Sequence, residues 1–437
     1  MARPIVAIIG RSNVGKSTFF NRVCGKRISI VKDTPGVTRD RIYADAEWCG
    51  KQFTLIDTGG IENDKADFGA EIRRQADIAV DLADVIVFMT DGKAGLLTSD
   101  REVGAVLRAA SKPVVLAVNK LDNNETDTLY DFYELGLGDP FPISCEQMLG
   151  IGDLLDEVTK HFPAVEEETE RGLNIAFVGK PNVGKSSLVN RILGFERVIV
   201  SDVPGTTRDA IDTPFTYNGA KYTLIDTAGM RRKRGIEDES VERYSVLRAI
   251  AAISRADVVF VVFDSSEPVS EQDVRIAGMV HDEGKPSVIV MNKWDKVEKD
   301  THTVEKYNAD LAEKLNFMSY FKAEYVSAAS GKRVERLLDL AESVYSRSCL
   351  RVPTGVLNDV ISDAVRITEP PSHSGRRLKI LYATQPSVNP PTFVIFVNDE
   401  ELMHFSYKRY LENSLRRAFD FSGTPIRLKI TGRKERE

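Results

Sequence analysis

The chain has 437 residues, of which 42% are hydrophobic and 28% are charged, and its formal net charge at pH 7 is −6. This length predicts about three domains, and the hydrophobic content suffices for three ordinary cores. The acidic balance argues against a nucleic-acid binder that is basic over its whole surface. The first residues contain no cleavable signal, and no apolar run approaches the ~20 residues of a membrane span, so we expect a cytoplasmic protein without a membrane anchor.

The first predicted element is a short apolar strand, Ile5–Ile9, and a loop rich in small residues follows it directly. This loop fits the pattern G-x-x-x-x-G-K-S/T, in which backbone N–H groups and a lysine surround the phosphates of a nucleotide. The pattern returns in the second half of the chain, so the sequence predicts two nucleotide sites. The first loop consists of Gly10, Arg11, Ser12, Asn13, Val14, Gly15, Lys16 and Ser17, and the second of Gly179, Lys180, Pro181, Asn182, Val183, Gly184, Lys185 and Ser186.

Three further motifs occur twice in the same order, which indicates duplicated domains rather than a solenoid of short repeats. The first two pairs keep the sequence shift that separates the two phosphate loops, whereas the third pair is shifted further. The four additional residues of the second copy are expected near Met230–Arg234. The pairs are Pro35–Asp40 with Pro204–Asp209, the Asp-x-x-Gly motifs Asp57–Gly60 with Asp226–Gly229, and the Asn-Lys-x-Asp motifs Asn119–Asp122 with Asn292–Asp295.

Continuous apolar runs between these motifs predict strands that are buried on both faces. Such strands, alternating with helical stretches, are typical of an α/β fold with a mostly parallel sheet and helices on both sides. Ligands bind at the carboxyl ends of the strands in these sheets, and every motif above follows a predicted strand there. The runs are Val85–Met89 and Val114–Val118 in the first copy, and Val258–Phe263 and Val288–Met291 in the second.

A third region begins near Cys349, and its pattern predicts a small α+β domain of order α-β-β-α-β. Ser406 is the expected N-cap of its second helix. The acidic run Glu166–Glu170 indicates a flexible connector before the second copy. The predicted division is residues 1–163 and 173–348 for the two nucleotide-binding domains, 164–172 for the linker and 349–437 for the third domain. The predicted elements of the third domain are a helix over Val356–Val365, strands at Leu378–Tyr382, Phe393–Val397 and Ile426–Ile430, and a helix carrying Tyr407, Tyr410, Leu411, Leu415 and Phe419 on one side.

The C-terminal segment is basic, although the chain as a whole is acidic. The segment Arg351–Glu437 has 14 Lys and Arg against 10 Asp and Glu, a net charge of +4, which leaves −10 for the rest of the chain. A basic segment on an acidic body suits RNA, although an ordinary mixed-charge surface is the alternative.

The cysteines lack the spacing of a metal or disulfide site and are expected to be buried apolar residues in a reducing cytosol. They are Cys24, Cys49, Cys145 and Cys349.

The phosphate side of each site predicts Mg²⁺-dependent chemistry. Lys16 and Lys185 are expected to reach the β- and γ-phosphates. The threonines Thr38 and Thr207 are expected to close over the metal only with a triphosphate, as an order–disorder switch. The last glycine of each Asp-x-x-Gly motif offers its N–H to the γ-phosphate. The candidate catalytic residues are Lys16, Thr38, Gly60, Lys185, Thr207 and Gly229, and the candidate Mg²⁺ ligands are Ser17, Thr38, Asp57, Ser186, Thr207 and Asp226.

The choice of base rests on Asp122 and Asp295. A carboxylate accepts from both N1–H and the N2 amine of guanine, whereas adenine offers neither, and each such bond contributes ~1.5–3 kcal/mol. The nucleotide is therefore expected to be GTP. Asn119 and Asn292 would brace the base and its loop, and the weaker signals Ser144–Glu146 and Ser327–Ala329 stand where a loop for the guanine carbonyl belongs. The remaining candidate nucleotide contacts are Thr58, Gly59, Gly60, Ile61, Lys120 and Leu121 in the first copy, and Thr227, Ala228, Gly229, Met230, Lys293 and Trp294 in the second.

The tandem loops, together with Lys379–Gln385, Ser406–Asn413 and Gly423–Leu428, resemble the Der (EngA) family over nearly all of the chain. These are bacterial GTPases with two tandem G domains and a C-terminal KH-like domain. The resemblance implies that GTP is hydrolysed to GDP and phosphate. It also implies a role in assembly of the large (50S) ribosomal subunit, through binding of rRNA or the precursor particle by a cytoplasmic monomer.

Two positions near the phosphates depart from Ras-like GTPases. Ile61 and Met230 stand where those enzymes have a water-orienting glutamine, so slow intrinsic hydrolysis is expected. Asn13 and Asn182 are candidates for holding K⁺ against the phosphates, because similar GTPases use asparagine there. The alternative is that each asparagine bonds the backbone of its own loop.

The third domain lacks the Gly-x-x-Gly clamp of ordinary KH domains, so RNA binding would use other basic side chains. Docking between the two G domains is an equally good use for this domain, and Arg376 and Arg377 are alternatively solvated loop charges. The basic run Arg231–Arg234 is either a solvated loop or a patch that nucleotide state presents to RNA. The basic candidates in the third domain are Arg376, Arg377, Lys379, Lys408, Arg409, Arg416 and Arg417.

Two other classes of protein are weaker interpretations of the sequence. A metabolic or RNA-modifying enzyme would need a catalytic cysteine, a metal cluster or a cofactor loop beyond the G domains, and the motifs supply none. A membrane-remodelling GTPase would need an amphipathic or spanning anchor.

Overall fold

The structure is a computed structural model, and the described residues divide into two compact units. One unit contains the residues up to 162 together with 248–251, and the other contains residues 172–226 and 252–432. The described residues are 4–24, 43–58, 76–77, 79–80, 82–110, 112–122, 126–162, 172–200, 212–226, 248–370, 372–373 and 376–432.

The first unit is built on a six-stranded sheet of order β2-β3-β1-β4-β5-β6. All neighbouring strands are parallel except β2 and β3. The central strands have continuous buried runs, as their apolar sequences predict. The strands are β1 (Ile5–Ile9), β2 (Tyr43–Trp48), β3 (Lys51–Asp57), β4 (Val85–Asp91), β5 (Val114–Asn119) and β6 (Phe141–Pro142).

Both faces of this sheet are covered, because alternate residues of β1 belong to different cores. Val6 and Ile8 pack with residues of α1 and α3, while Ile5 and Ala7 pack with residues of α2 and a 3₁₀ helix. Two separate apolar layers require helices on both sides of the sheet, which confirms the predicted α/β architecture. The helices are α1 (Lys16–Cys24), α2 (Thr98–Ala109) and α3 (Ile151–Lys160), and the 3₁₀ helix is Thr126–Leu135.

The second unit repeats this plan with a seven-stranded sheet of order β13-β12-β11-β7-β10-β9-β8. Strand β7 lies between β10 and β11 and is parallel to both, as β1 is to β3 and β4. The strands are β7 (Leu173–Val178), β8 (Val198–Val200), β9 (Thr213–Tyr217), β10 (Ala220–Leu224), β11 (Val258–Asp264), β12 (Ser287–Asn292) and β13 (Ala323–Tyr325). The helices are α4 (Lys185–Leu193), α5 (Glu271–Asp282), α6 (Thr303–Lys314) and α7 (Arg336–Ser348), with 3₁₀ turns at Trp294–Lys296 and Asn316–Met318.

The third region has the predicted order α-β-β-α-β, with a short additional hairpin between its first helix and first long strand. Its two helices pack on one face of a three-stranded sheet and share a core of their own with it. In this sheet β17 is central, antiparallel to β16 and parallel to β18. The elements are α8 (Thr354–Ile367), the hairpin β14 (Ser372–His373) and β15 (Arg376–Arg377), β16 (Ile380–Ser387), β17 (Thr392–Val397), a 3₁₀ turn (Glu400–Leu402), α9 (Phe405–Ala418) and β18 (Arg427–Gly432).

The third region packs against the second sheet domain, within the same compact unit. The carbonyl of Gly423 accepts a hydrogen bond of 2.8 Å from the Ser287 N–H. Gly423 has φ +73°, and a Cβ there would lie 2.5 Å from a methyl of Val344, so this close approach requires glycine. The contact surface therefore depends on backbone as well as side chains.

Two expectations about single residues were wrong. The second helix of the third region begins at Phe405, and its N-cap is His404 rather than Ser406. The His404 ring Nδ1 accepts from the Ser406 N–H at 3.3 Å, so the imidazole provides the acceptor that a serine hydroxyl was expected to provide. Cys49 is exposed rather than buried, because it lies at φ 47° in the turn between β2 and β3. Cys24 and Cys145 are buried, and Cys349 is half-buried.

Among the helices that the structure describes, none has the length and apolar character needed to cross a membrane.

Candidate nucleotide-binding sites

Each phosphate-binding loop connects the central strand of its sheet to a helix, with the backbone geometry that the motif demands. Gly10 has φ +151°, and a Cβ there would lie 2.3 Å from the Met89 carbonyl oxygen. Gly179 has φ +154° and would meet the Val262 oxygen at 2.4 Å. Only glycine lets the loop leave the sheet this close to the neighbouring strand. The loops thus begin in the same way in both sites.

The spacing of the motif places each loop lysine over the carbonyls of its own loop. Lys16 Nζ donates to the oxygens of Gly10 and Arg11 at 2.6 and 3.0 Å. Lys185 Nζ donates to those of Gly179 and Lys180 at 2.6 and 2.8 Å. The ammonium groups are therefore held inside the loops, where phosphate oxygens are bound in this motif.

A buried carboxylate anchors the second residue of each loop, a feature that the motifs did not reveal. Arg11 Nε lies 3.5 Å from Asp100 in the first site. Lys180 Nζ lies 3.2 Å from Asp273 and 3.1 Å from Glu267 in the second. Asp100 and Asp273 are both buried, and both stand in the first turn of the helix that follows β4 or its counterpart β11. Burial raises the pKa of Asp100. The two aspartates are separated by the same number of residues as the two Asn-Lys-x-Asp motifs. This equal spacing in the sequence could have identified them as equivalent residues of the two copies.

The first site brings two predicted Mg²⁺ ligands together. Ser17 Oγ donates to Asp57 Oδ2 at 3.0 Å, and Asp57 is buried at the end of β3. A hydroxyl beside a buried carboxylate is a donor set that fits a hard divalent cation. The neighbouring Thr58 donates its hydroxyl to the Ile8 carbonyl at 2.7 Å, so its side chain is bonded to the central strand.

In the second site, the corresponding aspartate is bonded by a residue from outside the motif. Asp226 has φ 58°, and its N–H donates to Asp212 Oδ1 at 3.1 Å. The other oxygen of Asp212 forms an ion pair with Arg255. The left-handed backbone at Asp226 is therefore fixed by an ion pair from outside the motif.

The asparagines Asn119 and Asn292 join three segments of their sites. Asn119 Nδ2 donates to the Val14 carbonyl at 2.7 Å, and its Oδ1 accepts from the Cys145 N–H at 3.0 Å. Asn292 makes the same two bonds, to the Val183 carbonyl at 2.8 Å and from the Ala328 N–H at 3.1 Å. Each amide thereby links the phosphate loop to the loop where the guanine carbonyl contact was expected. The predicted bracing role thus has a defined geometry.

The two base-recognising candidates are carboxylates held by serines. Ser144 Oγ donates to Asp122 at 2.8 Å, and Ser327 Oγ donates to Asp295 at 2.5 Å. Lys93 also pairs with Asp122. Lys93 and then Ser144 lower the pKa of Asp122, while the Ser327 hydroxyl lowers the pKa of Asp295. Both groups are therefore charged acceptors near neutral pH, as binding of a guanine edge requires.

The lysines of the Asn-Lys-x-Asp motifs pair with carboxylates that the sequence left unassigned. Lys120 lies 2.6 Å from Asp91, and Lys293 lies 2.5 Å from Asp264. Burial is the largest single effect on the pKa of Asp91 and acts to raise it, but the hydrogen bonds from Lys120, Ala94 and Lys93 together with the charge of Lys120 outweigh burial, so the pKa lies below its usual value. The pairs fix the loops that carry the base-recognising carboxylates. Each of these aspartates precedes its motif by the same interval, which was the available signal in the sequence.

Several predicted nucleotide contacts have side chains in the cores. Leu121 is buried, and Trp294 packs against Tyr307 and Tyr325 with ring centroids at 5.1 and 4.4 Å. Val14 and Val183 are buried as well and present their backbone carbonyls to the asparagines. These residues shape the sites by packing and by backbone.

Some predicted residues lie outside the described residues. They are Thr38, Gly59, Gly60, Ile61, Thr207, Thr227, Ala228, Gly229, Met230, the basic run Arg231–Arg234 and the acidic connector at Glu166–Glu170.

Two sheets of mostly parallel strands, each with a phosphate loop after its central strand and an Asn-Lys-x-Asp motif after the second strand along from it, define a protein with tandem P-loop GTPase domains. The family model described as 50S ribosome-binding GTPase matches residues 5–120 and 174–293. The model described as the C-terminal KH-domain-like region of EngA bacterial GTPase enzymes matches residues 351–431.

Curated relatives match along the full length. GTPase Der of Clostridium acetobutylicum is 56% identical over 438 residues, which cover 99% of this chain and 100% of the relative. GTPase Der of Listeria innocua is 55% identical over 437 residues with the same coverage. Among solved structures, the FeoB G-domain of Methanococcus jannaschii matches 37% of this chain and 98% of its own length, at 23% identity and a TM-score of 0.28.

The chain belongs to the GTPase Der family and is a GTPase with two tandem GTPase domains and a C-terminal KH-like domain. The resemblance found in the sequence is thereby confirmed, and the base predicted from Asp122 and Asp295 agrees with the family.

Proposed function

We propose that this GTPase acts in assembly of the large ribosomal subunit. Its triphosphate state binds rRNA or the precursor particle, and hydrolysis releases it. The observation that carries this proposal is the match of both GTPase domains to the 50S ribosome-binding GTPase model. The basic C-terminal segment supports a polyanionic partner. The protein acts as a cytoplasmic monomer. Its GTPase domains comprise residues 1–163 and 173–348, and its KH-like domain comprises residues 349–437.

Each site binds GTP through the contacts that its residues already prepare. Lys16 and Lys185 transfer their hydrogen bonds from loop carbonyls to β- and γ-phosphate oxygens, since both ammonium groups lie inside the loops. Asp122 and Asp295 accept from the guanine edge. The asparagines keep the phosphate loop and the base loop in register, so that phosphate and base are bound as one unit.

The hydroxyl and carboxylate at Ser17 and Asp57 fit Mg²⁺, and Ser186 and Asp226 are their counterparts. When bound, Mg²⁺ neutralises charge on the phosphates. Thr38 and Thr207 complete each set when the γ-phosphate is present, and the N–H groups of Gly60 and Gly229 contact that phosphate. This contact gives the nucleotide state control over the adjoining loops.

Hydrolysis is slow unless another group assists it, because Ile61 and Met230 carry no water-orienting amide. Asn13 and Asn182 hold K⁺ beside the phosphates. Both asparagines are exposed and have left-handed φ values of 67° and 65°. Asparagine tolerates this backbone, which is the competing reason for its presence. Turnover in K⁺ should exceed turnover in Na⁺ at equal ionic strength, and equal rates would leave only the backbone role.

One of the basic residues that the sequence suggested for RNA binding, Arg416, is not on the exposed surface of the KH-like domain. Arg416 is mostly buried and donates to the Thr424 carbonyl at 3.0 Å, while its guanidinium lies 4.6 Å from the Tyr320 ring centre. It therefore joins the domain to the second GTPase domain. Arg376 and Arg377 are exposed and form ion pairs with Asp399 and Glu369. Lys379, Lys408, Arg409 and Arg417 remain RNA candidates, as does the basic run Arg231–Arg234.

Co-sedimentation tests the proposed function directly. With a non-hydrolysable GTP analogue, the protein should sediment with large ribosomal subunits, and GDP should reduce this association. The variants Lys16→Ala and Lys185→Ala should separate the contribution of each site. Sedimentation that is equal for GTP analogue, GDP and no nucleotide would contradict control by nucleotide state.

A further inference from the structure

The three-stranded sheet of the KH-like domain has one face in the core and one face turned away from it. Phe393, Ile395 and Ala383 pack under helices α8 and α9. Since side chains alternate along a strand, the residues between them face outward. This outer face is defined by the paired positions of the three strands. It comprises Tyr382, Thr384, Val394, Phe396, Lys429 and Thr431.

An aromatic stack stands on this outer face. Tyr382 and Phe396 are directly paired across β16 and β17, and their rings are 4.3 Å apart with an interplanar angle of 14°. Tyr382 is 47% exposed although its ring is large and its inner surface is covered by Phe396. Strand β16 is an edge strand, so no further strand of this sheet lies beside Tyr382 on the side away from Phe396. A further planar group can extend this stack from the open side.

The charge of the outer face has one sign. None of the residues of β16, β17 and β18 is acidic. Lys429 lies across from Val394 and is exposed, and Lys379 is exposed immediately before β16. Arg427 belongs to the same strand as Lys429, but its guanidinium donates to the Asp282 carbonyl of the second GTPase domain. Cations on the strands that carry an exposed aromatic ring, without a carboxylate on those strands, suit a ligand with planar bases and phosphates.

We propose that the outer face of β16, β17 and β18 binds a segment of single-stranded RNA. One base stacks on the open surface of Tyr382, and Lys429 and Lys379 contact the adjoining phosphates. This mode does not need the missing Gly-x-x-Gly clamp, because stacking on a sheet is a separate means of holding unpaired bases. The proposal rests on the proposed function and names the RNA feature that this domain recognises.

The test measures binding of full-length protein, loaded with a non-hydrolysable GTP analogue, to a labelled oligouridylate of about 12 nucleotides. Tyr382→Ala should weaken binding about 5- to 150-fold, the range expected for loss of one base stack. Tyr382→Phe should bind within about twofold of the unchanged protein, because it retains the ring. Lys429→Gln should lower the slope of log affinity against log salt by about 0.7, the contribution of one phosphate contact.

Tyr130→Ala is the matched control, because Tyr130 is 72% exposed and lies in the first GTPase domain. Its RNA affinity should not change. Equal RNA affinities of Tyr382→Ala and the unchanged protein, at equal melting temperatures, would overturn the proposal. A loss of particle binding in Tyr382→Ala without any loss of oligouridylate binding would also overturn it, and would show that the face contacts protein. If oligouridylate binding depends on Tyr382 but the protein does not sediment with large subunits, the RNA face stands and the proposed function fails.

Discussion

The replacement Asn292→Ala provides the sharpest test of how the second site is organised. Asn292 is 1% exposed, and its amide makes one bond to the phosphate loop and one to the loop after β13. Truncation would leave the Val183 carbonyl and the Ala328 N–H without these partners. An unsatisfied buried group costs about 1–3 kcal/mol, so the two together amount to about 2–6 kcal/mol.

Part of this cost will be relieved by water and by movement of the loops. Binding GTP requires the loops in their original register. The free energy that the loops gain by moving in the free protein is therefore lost again on binding, and the affinity for GTP falls. We therefore expect GTP affinity at the second site to fall at least tenfold, which corresponds to about 1.4 kcal/mol. Calorimetry in a Lys16→Ala background isolates the second site. Asn119→Ala in a Lys185→Ala background is the matched measurement at the first.

Asn292→Asp distinguishes the two bonds. The carboxylate retains an acceptor for the Ala328 N–H but cannot donate to the Val183 carbonyl, and it places two oxygens against each other. It should bind GTP no better than Asn292→Ala. Dissociation constants within twofold of the unchanged site for both variants would refute the claim that the amide couples the two loops.

Three further changes probe separate contacts. Asp273→Asn should weaken GTP binding at the second site about fivefold in the same calorimetric assay, because it removes the charge of a buried partner of Lys180. The control is Glu267→Gln, which should change the affinity by less than twofold because the Glu267 carboxylate is 59% exposed. The preference of the first site for GTP over ATP should be constant from about pH 7.5 to 5.5, since the pKa of Asp122 is lowered and its charged form persists as pH falls; both triphosphates share the same phosphate titration, so a decline of this preference between pH 7 and 6 would contradict the reasoning. Arg416→Ala should lower stability by about 2 kcal/mol in denaturant unfolding because it removes contacts with Thr424 and Tyr320, with exposed Arg417→Ala as the control.

The sequence predicted the parts of the fold that depend on local pattern. Continuous apolar runs such as Val85–Met89 identified strands, and the repeated motifs identified two tandem GTPase domains. The prediction that Asn119 braces its loop agrees with its bonds to the Val14 carbonyl and from the Cys145 N–H, and its contact with the base stays a prediction. These features share one property: each is determined by residues that are close in sequence.

Contacts between distant segments were not accessible in this way. Asp100 anchors Arg11 although the two are far apart in sequence, and only the fold brings the helix after β4 to the phosphate loop. Arg416 looked like a surface cation because its helix is rich in arginine, yet the packing of two domains places it over Tyr320. The cap at His404 was missed for a different reason, since an imidazole acceptor competes with serine only in a particular ring orientation.

The duplicated sites share the two bonds of their asparagines but differ at positions around the aspartate of each Asp-x-x-Gly motif. In the second site, Asp212 accepts from the Asp226 N–H and pairs with Arg255. Asp212 lies before the four additional residues of the second copy, and its counterpart in the first copy is Tyr43. Arg255 lies after them, and its counterpart is Leu82. Tyrosine and leucine cannot form such an ion pair. The second aspartate therefore has an electrostatic anchor that these positions of the first copy cannot supply, and that anchor extends to Arg255, in the helical residues 248–255. Because Tyr43 and Leu82 cannot supply this ion pair, we predict that the two sites bind the same nucleotide while the segments at Asp57 and Asp226 respond to it with different energies.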